Sequence, residues 1–413
     1  MARLSGSLAP LRHANFRWYF LAGAVNTAGS TMAGVALAFA VLSIAGPSEL
    51  GLVLAAMTVP LVLFLLVGGV LADRLPVTLV LRAGMVVNGV TQLTVAALVI
   101  SGTAQIWMLV CLEAANGTSL AMSFPALRSV LPRLVPRELL QQANGLQSVV
   151  RGTFRILGPT ISALLVVGVG PGWALAVDGA TWLVAAAMLL RVRIPPPPAV
   201  EERPSTFVQL QEGWRYVRAT PWLWAVTLAF CFLNAIQSGA WNTLGPAEAK
   251  LTIGAKGWGY VLSAQSIGLL LMTFVLLRRR INRPLRSGMV GIAMLGLPML
   301  ALGLSPHLPV LVAIGFVAGL GNEVFTIGWA LAMQEHVPED MLSRAYSYDA
   351  LGSFAAMPVG QLAFGPLAVA LGLRQVIAVA GAAYVVIALL PLASRSVRGL
   401  RRVPVEESVV AAG

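Results

Sequence analysis

Between residues 16 and 392 the chain is a succession of apolar runs of about twenty residues, and nothing else in the sequence constrains the fold as strongly. A helix crossing the roughly 30 Å hydrocarbon layer needs about 20 apolar residues, and a lipid-exposed span must satisfy its backbone internally. Each run therefore reads as one membrane-spanning helix. Twelve are expected, at 16–44, 50–71, 77–100, 104–126, 140–169, 172–190, 222–245, 257–277, 287–304, 308–332, 345–371 and 374–392. Composition agrees, since 58% of residues are hydrophobic and only 11% charged, where a water-soluble domain needs roughly a quarter charged. The first run is longer than a signal peptide's apolar core and no A-x-A-like site ends it, so it is expected to remain as a span.

The basic residues set the orientation. With the N-terminus in the cytoplasm, 23 of the 28 Lys and Arg residues fall on the inner side, as insertion favours. Lys250, Lys256 and Arg374 fall outside, and Arg151 and Arg155 lie within the fifth span. Both termini are thus expected in the cytoplasm, with the chain in the plasma membrane. The same asymmetry accounts for the net charge of +12 through anionic lipid, without a nucleic-acid partner. Arginine supplies 26 of the 28 basic residues, a composition typical of a GC-rich bacterium. Cys111 and Cys231 fall inside spans and read as small apolar residues. The three histidines, His13, His307 and His336, lie near span ends without metal-ligand spacing, and no glycine loop with a lysine offers a nucleotide site. No metal, cofactor or enzymatic activity is expected.

The longest polar stretch, residues 191–221, divides the chain. Prolines 195–198 end the sixth span and start an extended spacer. After them Phe207, Leu210, Trp214 and Val217 recur at helical spacing, opposite Gln211, Glu212, Arg215 and Arg218. That pattern predicts an amphipathic helix along the membrane surface. A repeat supports the division: VPRELLQQA at 135–143 returns as VPEDMLSRA at 337–345, an offset of 202. The expected architecture is an all-α membrane protein of 12 transmembrane helices in two pseudo-symmetric six-helix bundles, 1–190 and 222–392. Residues 191–221 form the cytoplasmic linker and 393–413 a cytoplasmic tail.

A charge near the bilayer centre costs at least about 2.5–3.5 kcal/mol, so acids and bases inside spans are functional candidates. The chain offers Glu113, Arg151, Arg155, Asp178 and Glu323. By the ~1.5 Å rise per residue, Glu113 and Arg155 lie at depths that permit a pair between the fourth and fifth spans. Asn26, Asn116, Asn234, Gln237, Trp241, Asn322 and Trp329 lie near midspan and suit a cavity for amphipathic solutes. Each is equally able to serve as an interhelical hydrogen bond or packing contact.

The turn between the second and third spans carries Gly69, Leu71, Ala72, Asp73 and Arg74, which resembles the G-x-L-A-D-R-x-G-R-R signature of the major facilitator superfamily. Pro76 replaces its second glycine, and Val77 and Thr78 its basic pair. The stretches RILGPTISALL (155–165), WALAVDGATWLVAAAMLL (173–190), LQEGWRYVRATPWLW (210–224) and SYDALGSFAAMPVGQLAFGPLA (347–368) look like its enterobactin-exporter and macrolide-efflux-like branch. So does PALRSVLPRLVPRELLQQANGL (125–146). The resemblance implies a monomeric secondary transporter with a cavity lined by the first, fourth, seventh and tenth spans and a peripheral sixth. It further implies a conformational switch in which Asp73 faces Arg128 and Arg74 faces Asp349. On that fold Glu323 and Glu113 are the proton-coupling candidates, and Asp178 a weaker one inclined to packing or capping. Gly152, Gly158 and Pro159 resemble the glycine and proline element of proton-coupled exporters, with Ser162 where a glycine is common. The expected function is exchange of protons for an amphipathic small molecule. A proton-coupled importer of the same fold and a non-transporting receptor or scaffold are the alternatives.

Overall fold

The computed structural model describes residues 8–74, 76–136, 139–193, 206–276, 278–279 and 281–402. These residues are helical almost throughout, and no strand occurs among them. Eleven helices among the described residues are long and apolar enough to cross a membrane. The helix Ile106–Leu134 is of similar length but carries Glu113, Asn116, Thr118 and Ser119 at its middle, which lowers its mean hydropathy.

Contacts divide the chain into two compact units, residues 1–199 with 249–263, and 200–248 with 264–413. The first contains α1 (Ala14–Ile44), α2 (Pro47–Arg74), α3 (Val77–Ile100), α4 (Ile106–Leu134), α5 (Leu140–Gly168) and α6 (Pro171–Leu189). Within it α2 packs on α4, α3 on α4 and α6, and α1 on α5 and α6. Arg82 of α3 fastens the end of α6: its Nε and Nη2 donate to Leu189 O at 3.1 and 2.8 Å, and Nη2 also reaches Val192 O at 3.1 Å. The last carbonyls of a helix have no partner along its own backbone, and a cation there meets the negative end of the helix dipole.

The second unit begins with α7 (Thr206–Ala219), which lies in the linker and packs on α14 (Glu339–Phe354). Of its expected apolar face, Val217 is buried while Trp214 is exposed, and Trp214 stands 5.8 Å from Tyr348 between ring centres. The seventh span is α8 (Pro221–Ile236), a π-helical stretch (Gln237–Leu244) and α9 (Gly245–Leu251). Then come α10 (Gly254–Leu276), shared between the units, and α11 (Pro284–Ala293) with α12 (Gly296–Leu304). α13 (Leu308–His336), α14, α15 (Met357–Leu371) and α16 (Leu373–Leu389) complete the spans, and α17 (Arg395–Arg398) follows.

The offset of 202 recurs in the backbone. Ile106–Leu134 and Leu308–His336 occupy corresponding positions in the chain. Gly170 joins α5 to α6 at φ 100°, and Gly372, 202 residues on, joins α15 to α16 at φ 93°. Only glycine adopts such a φ without strain, which permits a turn of one or two residues between adjacent helices. A Cβ on Gly117 of α4 would overlap the carbonyl oxygen of Met57, and one on Gly319 of α13 would overlap that of Gln265. The same close helix pair is therefore built once in each unit.

Candidate functional site

Five helices of the first unit each turn one stripe toward a common hollow. On α4 the stripe is Glu113, Asn116, Leu120 and Ser123, at spacings of three and four that share a helix face. α3 contributes Leu81, Met85, Asn88 and Gln92, and α1 contributes Asn26, Ser30, Ala33 and Leu37. Leu54 and Met57 of α2 and Asp178 and Trp182 of α6 close it. The cavity measures about 520 Å³, within the range of small-molecule sites, and its walls are mainly apolar with few polar groups.

Both acids are buried, Glu113 and Asp178 each with 2% of their surface exposed. They lie near enough for their charges to interact. Asn116 sits beside Glu113, while Gln92 and Trp182 sit beside Asp178. No Lys, Arg or His lines the cavity among the described residues. Glu113 Oε1 and Asp178 Oδ1 have no hydrogen-bond partner in the protein, and the same is true of Asn26 Oδ1, Asn88 Oδ1 and Ser123 Oγ. Leaving a buried polar group unsatisfied costs about 1–3 kcal/mol, so five around one hollow is a concentrated expense for packing alone. Nearby groups are satisfied. Thr91 Oγ1 donates to Asn116 Oδ1, Asn116 Nδ2 donates to Gln92 Oε1 at 3.5 Å, and Ser119 Oγ donates to Gly84 O at 3.2 Å.

Four expected site residues thus meet here: Glu113, Asp178, Asn26 and Asn116. Asp178 is a cavity residue rather than a peripheral packing acid, because α6 lies against both α1 and α3 and turns this side chain inward. The expected pair of Glu113 with Arg155 does not form. Glu113 faces the cavity, whereas Arg155 is exposed on α5. Arg151 is exposed too and donates to Gln147 Oε1 at 3.2 Å and Ser148 Oγ at 3.1 Å on its own helix. Asn88, Gln92, Ser123 and Trp182 were not anticipated. Asn88 and Gln92 are two amides four residues apart at the middle of a membrane-spanning α3, a signal that would have found that pair.

The remaining candidates lie in the second unit. Glu323 is buried with 8% exposed, and its Oε1 accepts from Thr273 Oγ1 at 2.8 Å. Asp349 accepts from Trp329 Nε1 at 3.1 Å and from Thr227 Oγ1 at 3.3 Å. Trp329 also lies among rings, 5.9 Å from Trp222 and 6.1 Å from Phe325. Asn234 Nδ2 donates to Ser353 O at 3.1 Å, and Asn322 is half-buried. Gln237 and Trp241 fall in the π-helical stretch, where Gln237 Oε1 is without a partner. The side chains of Asp73, Arg74 and Arg128, on which the switch was expected to rest, lie outside the described residues.

The fifth-span element is in place as local structure. Gly152 is half-buried, Gly158 is buried against Thr31 of α1, and Pro159 stands inside α5. Ser162 donates to Met32 O at 2.8 Å, so its hydroxyl serves the contact of α5 with α1.

The sequence pattern of the Major Facilitator Superfamily matches residues 19–348. An uncharacterized MFS-type transporter of Bacillus subtilis (strain 168), YfiS, is 21% identical over 387 residues, 88% of each chain. The multidrug efflux pump Tap of Mycolicibacterium fortuitum is 24% identical over 367 residues, 84% of this chain and 87% of that one. Among solved structures, an inward-facing, unoccupied bacterial homolog of the human lysosomal transporter Spinster is similar at a TM-score of 0.72 with 16% identity, covering 96% of this chain and 99% of that one. A family pattern over most of its length, apolar spans throughout and a transporter fold end to end make this chain a member of the major facilitator superfamily, a multi-pass membrane transporter.

Proposed function

We propose that the chain is a proton-coupled exporter of an amphipathic small molecule, akin to the enterobactin-exporter and macrolide-efflux-like branch. The observation that carries this reading is the cavity of the first unit, where Glu113 and Asp178 face each other's field without a cation. A bare carboxylate in a dry interior loses its hydration and gains nothing unless a proton or a cationic group joins it. Such a site holds a proton while empty of solute and releases it when solute enters. Apolar walls from Leu54, Met57 and Leu120 suit a solute with a greasy body.

Export is supported by the likeness to Tap, an efflux pump, and by Gly158 and Pro159 in α5. Alternating access between two repeats would carry the solute across. The excess of arginine in the connecting segments and tail supports both termini in the cytoplasm. Glu113 and Asp178 line the cavity and each keeps one oxygen without a partner, so the proton is assigned to them rather than to Glu323, whose Oε1 accepts from Thr273.

The test is expression in an efflux-deficient bacterial host, with growth inhibition measured across a panel of amphipathic antibiotics and cellular accumulation followed with and without a protonophore. Wild type is expected to raise the inhibitory concentration of at least one compound and lower its accumulation until the protonophore is added. Glu113→Gln and Asp178→Asn are each expected to abolish the effect, and Glu323→Gln to retain it. Increased accumulation would reverse the direction, and indifference of the phenotype to both cavity substitutions would remove the assigned site.

A further inference from the structure

Most of the polar atoms that face the cavity without a partner are acceptors. Four are carboxyl or amide oxygens, on Glu113, Asp178, Asn26 and Asn88, and the fifth is the hydroxyl of Ser123. The two acids and Asn88 are at least nineteen-twentieths buried, with 2%, 2% and 5% exposed. The amide nitrogen of Asn116 is turned to Gln92 Oε1. The hollow is therefore rich in acceptors that call for hydrogen-bond donors.

The repeat shows that the fold does not need these side chains. At the offset of 202 the positions of Glu113, Asn116 and Asp178 are taken by Gly315, Ala318 and Ala380. The close-packed glycines Gly117 and Gly319 recur at the same offset. At these positions one unit keeps the scaffold with small apolar residues, while the other places two acids and an amide around a hollow. The scaffold thus does not require an acid or amide at these three positions.

We infer that this cavity, formed within the first unit alone, binds an amphipathic primary or secondary ammonium through its N–H groups. The inference rests on reading the hollow as a solute site and not on transport or its direction. An ammonium supplies the missing positive charge and up to three donors, matching Glu113, Asp178 and the amide oxygens. A quaternary ammonium supplies charge alone and leaves the oxygens unpaired, and an anion is repelled. A bare metal ion would leave most of the space unfilled, since one water occupies about 30 Å³ of liquid against about 520 Å³ here. The apolar lining of Leu37, Met57, Leu81 and Leu120 calls instead for a hydrocarbon body on the ammonium.

The experiment is equilibrium binding to the full chain, purified in nanodiscs, of four matched probes: 4-phenylbutylamine, its N,N,N-trimethyl analogue, 4-phenylbutan-1-ol and 4-phenylbutyrate. The primary amine is expected to bind at least about tenfold more tightly than each of the others, the gap that about 1.4 kcal/mol produces. Glu113→Gln and Asp178→Asn, which preserve shape, are each expected to weaken it at least about tenfold. Asn88→Leu, which removes an amide of similar size, should narrow the gap between the amine and its trimethyl analogue and serves if an acid variant does not fold. Equal binding of the trimethyl analogue, equal binding of the alcohol, or displacement of the amine by sodium chloride but not choline chloride would each overturn the inference. Amine binding with this pattern in a protein that gives no resistance or efflux would uphold it and count against the exporter reading.

Discussion

Arg82 shows how much one side chain holds on α3. Its guanidinium gathers the carbonyls of Leu189 and Val192, where α6 ends, and α6 is the helix that presents Asp178 to the cavity. Arg82→Ala would leave those carbonyls without their charged donor and is expected to destabilise the protein by about 1–3 kcal/mol, read as a lower unfolding midpoint in detergent. Arg82→Lys should recover only part of the loss, because a single ammonium cannot reproduce the forked geometry. A midpoint unchanged in both would mean that the end of α6 is held by other means. Glu113 and Asp178 were legible from the chain as costly charges inside spans. Their partnership was not, because it depends on how α3, α4 and α6 pack, which no spacing within one segment records. Glu323 was legible in the same way, from its central place in the tenth span, but the hydroxyl of Thr273 that it accepts from lies fifty residues away and was not.

At the scale of elements, apolar runs specify where helices lie and glycines specify how closely they approach. Gly117 touches the carbonyl of Met57, and Gly319 touches that of Gln265, so neither site has room for a methyl group. Gly117→Ala and Gly319→Ala are expected to destabilise by similar amounts, about 1–3 kcal/mol for added volume in a packed contact. Gly23, with nothing within 4 Å of its would-be Cβ, should accept alanine with no loss, and with a gain of up to ~1 kcal/mol from helix propensity. Thermal unfolding of the three variants side by side checks this, and a neutral Gly117→Ala would contradict the close packing of α2 on α4. The twelve segments were readable because burial in lipid demands long uninterrupted apolar helices. The π-helical stretch at Gln237–Leu244 was not, since apolar periodicity does not encode it, and the break between α11 and α12 went unread although Pro298 supplies no amide donor to the carbonyl of Met294.

At the scale of the whole molecule, duplication and divergence separate structure from function. Matching glycines in both units preserve the helix pairs and turns, whereas Glu113, Asn116 and Asp178 have small apolar residues at the same offset. The central claim is that solute and proton use the same two carboxyls. The measurement that meets it most directly is proton release on binding, followed with a soluble pH indicator in weakly buffered nanodiscs as 4-phenylbutylamine is added at matched pH. Wild type should release protons in proportion to the amine bound, and the Glu113→Gln, Asp178→Asn double variant should release none. Binding without release in the wild type, or equal release from the double variant, would contradict the account.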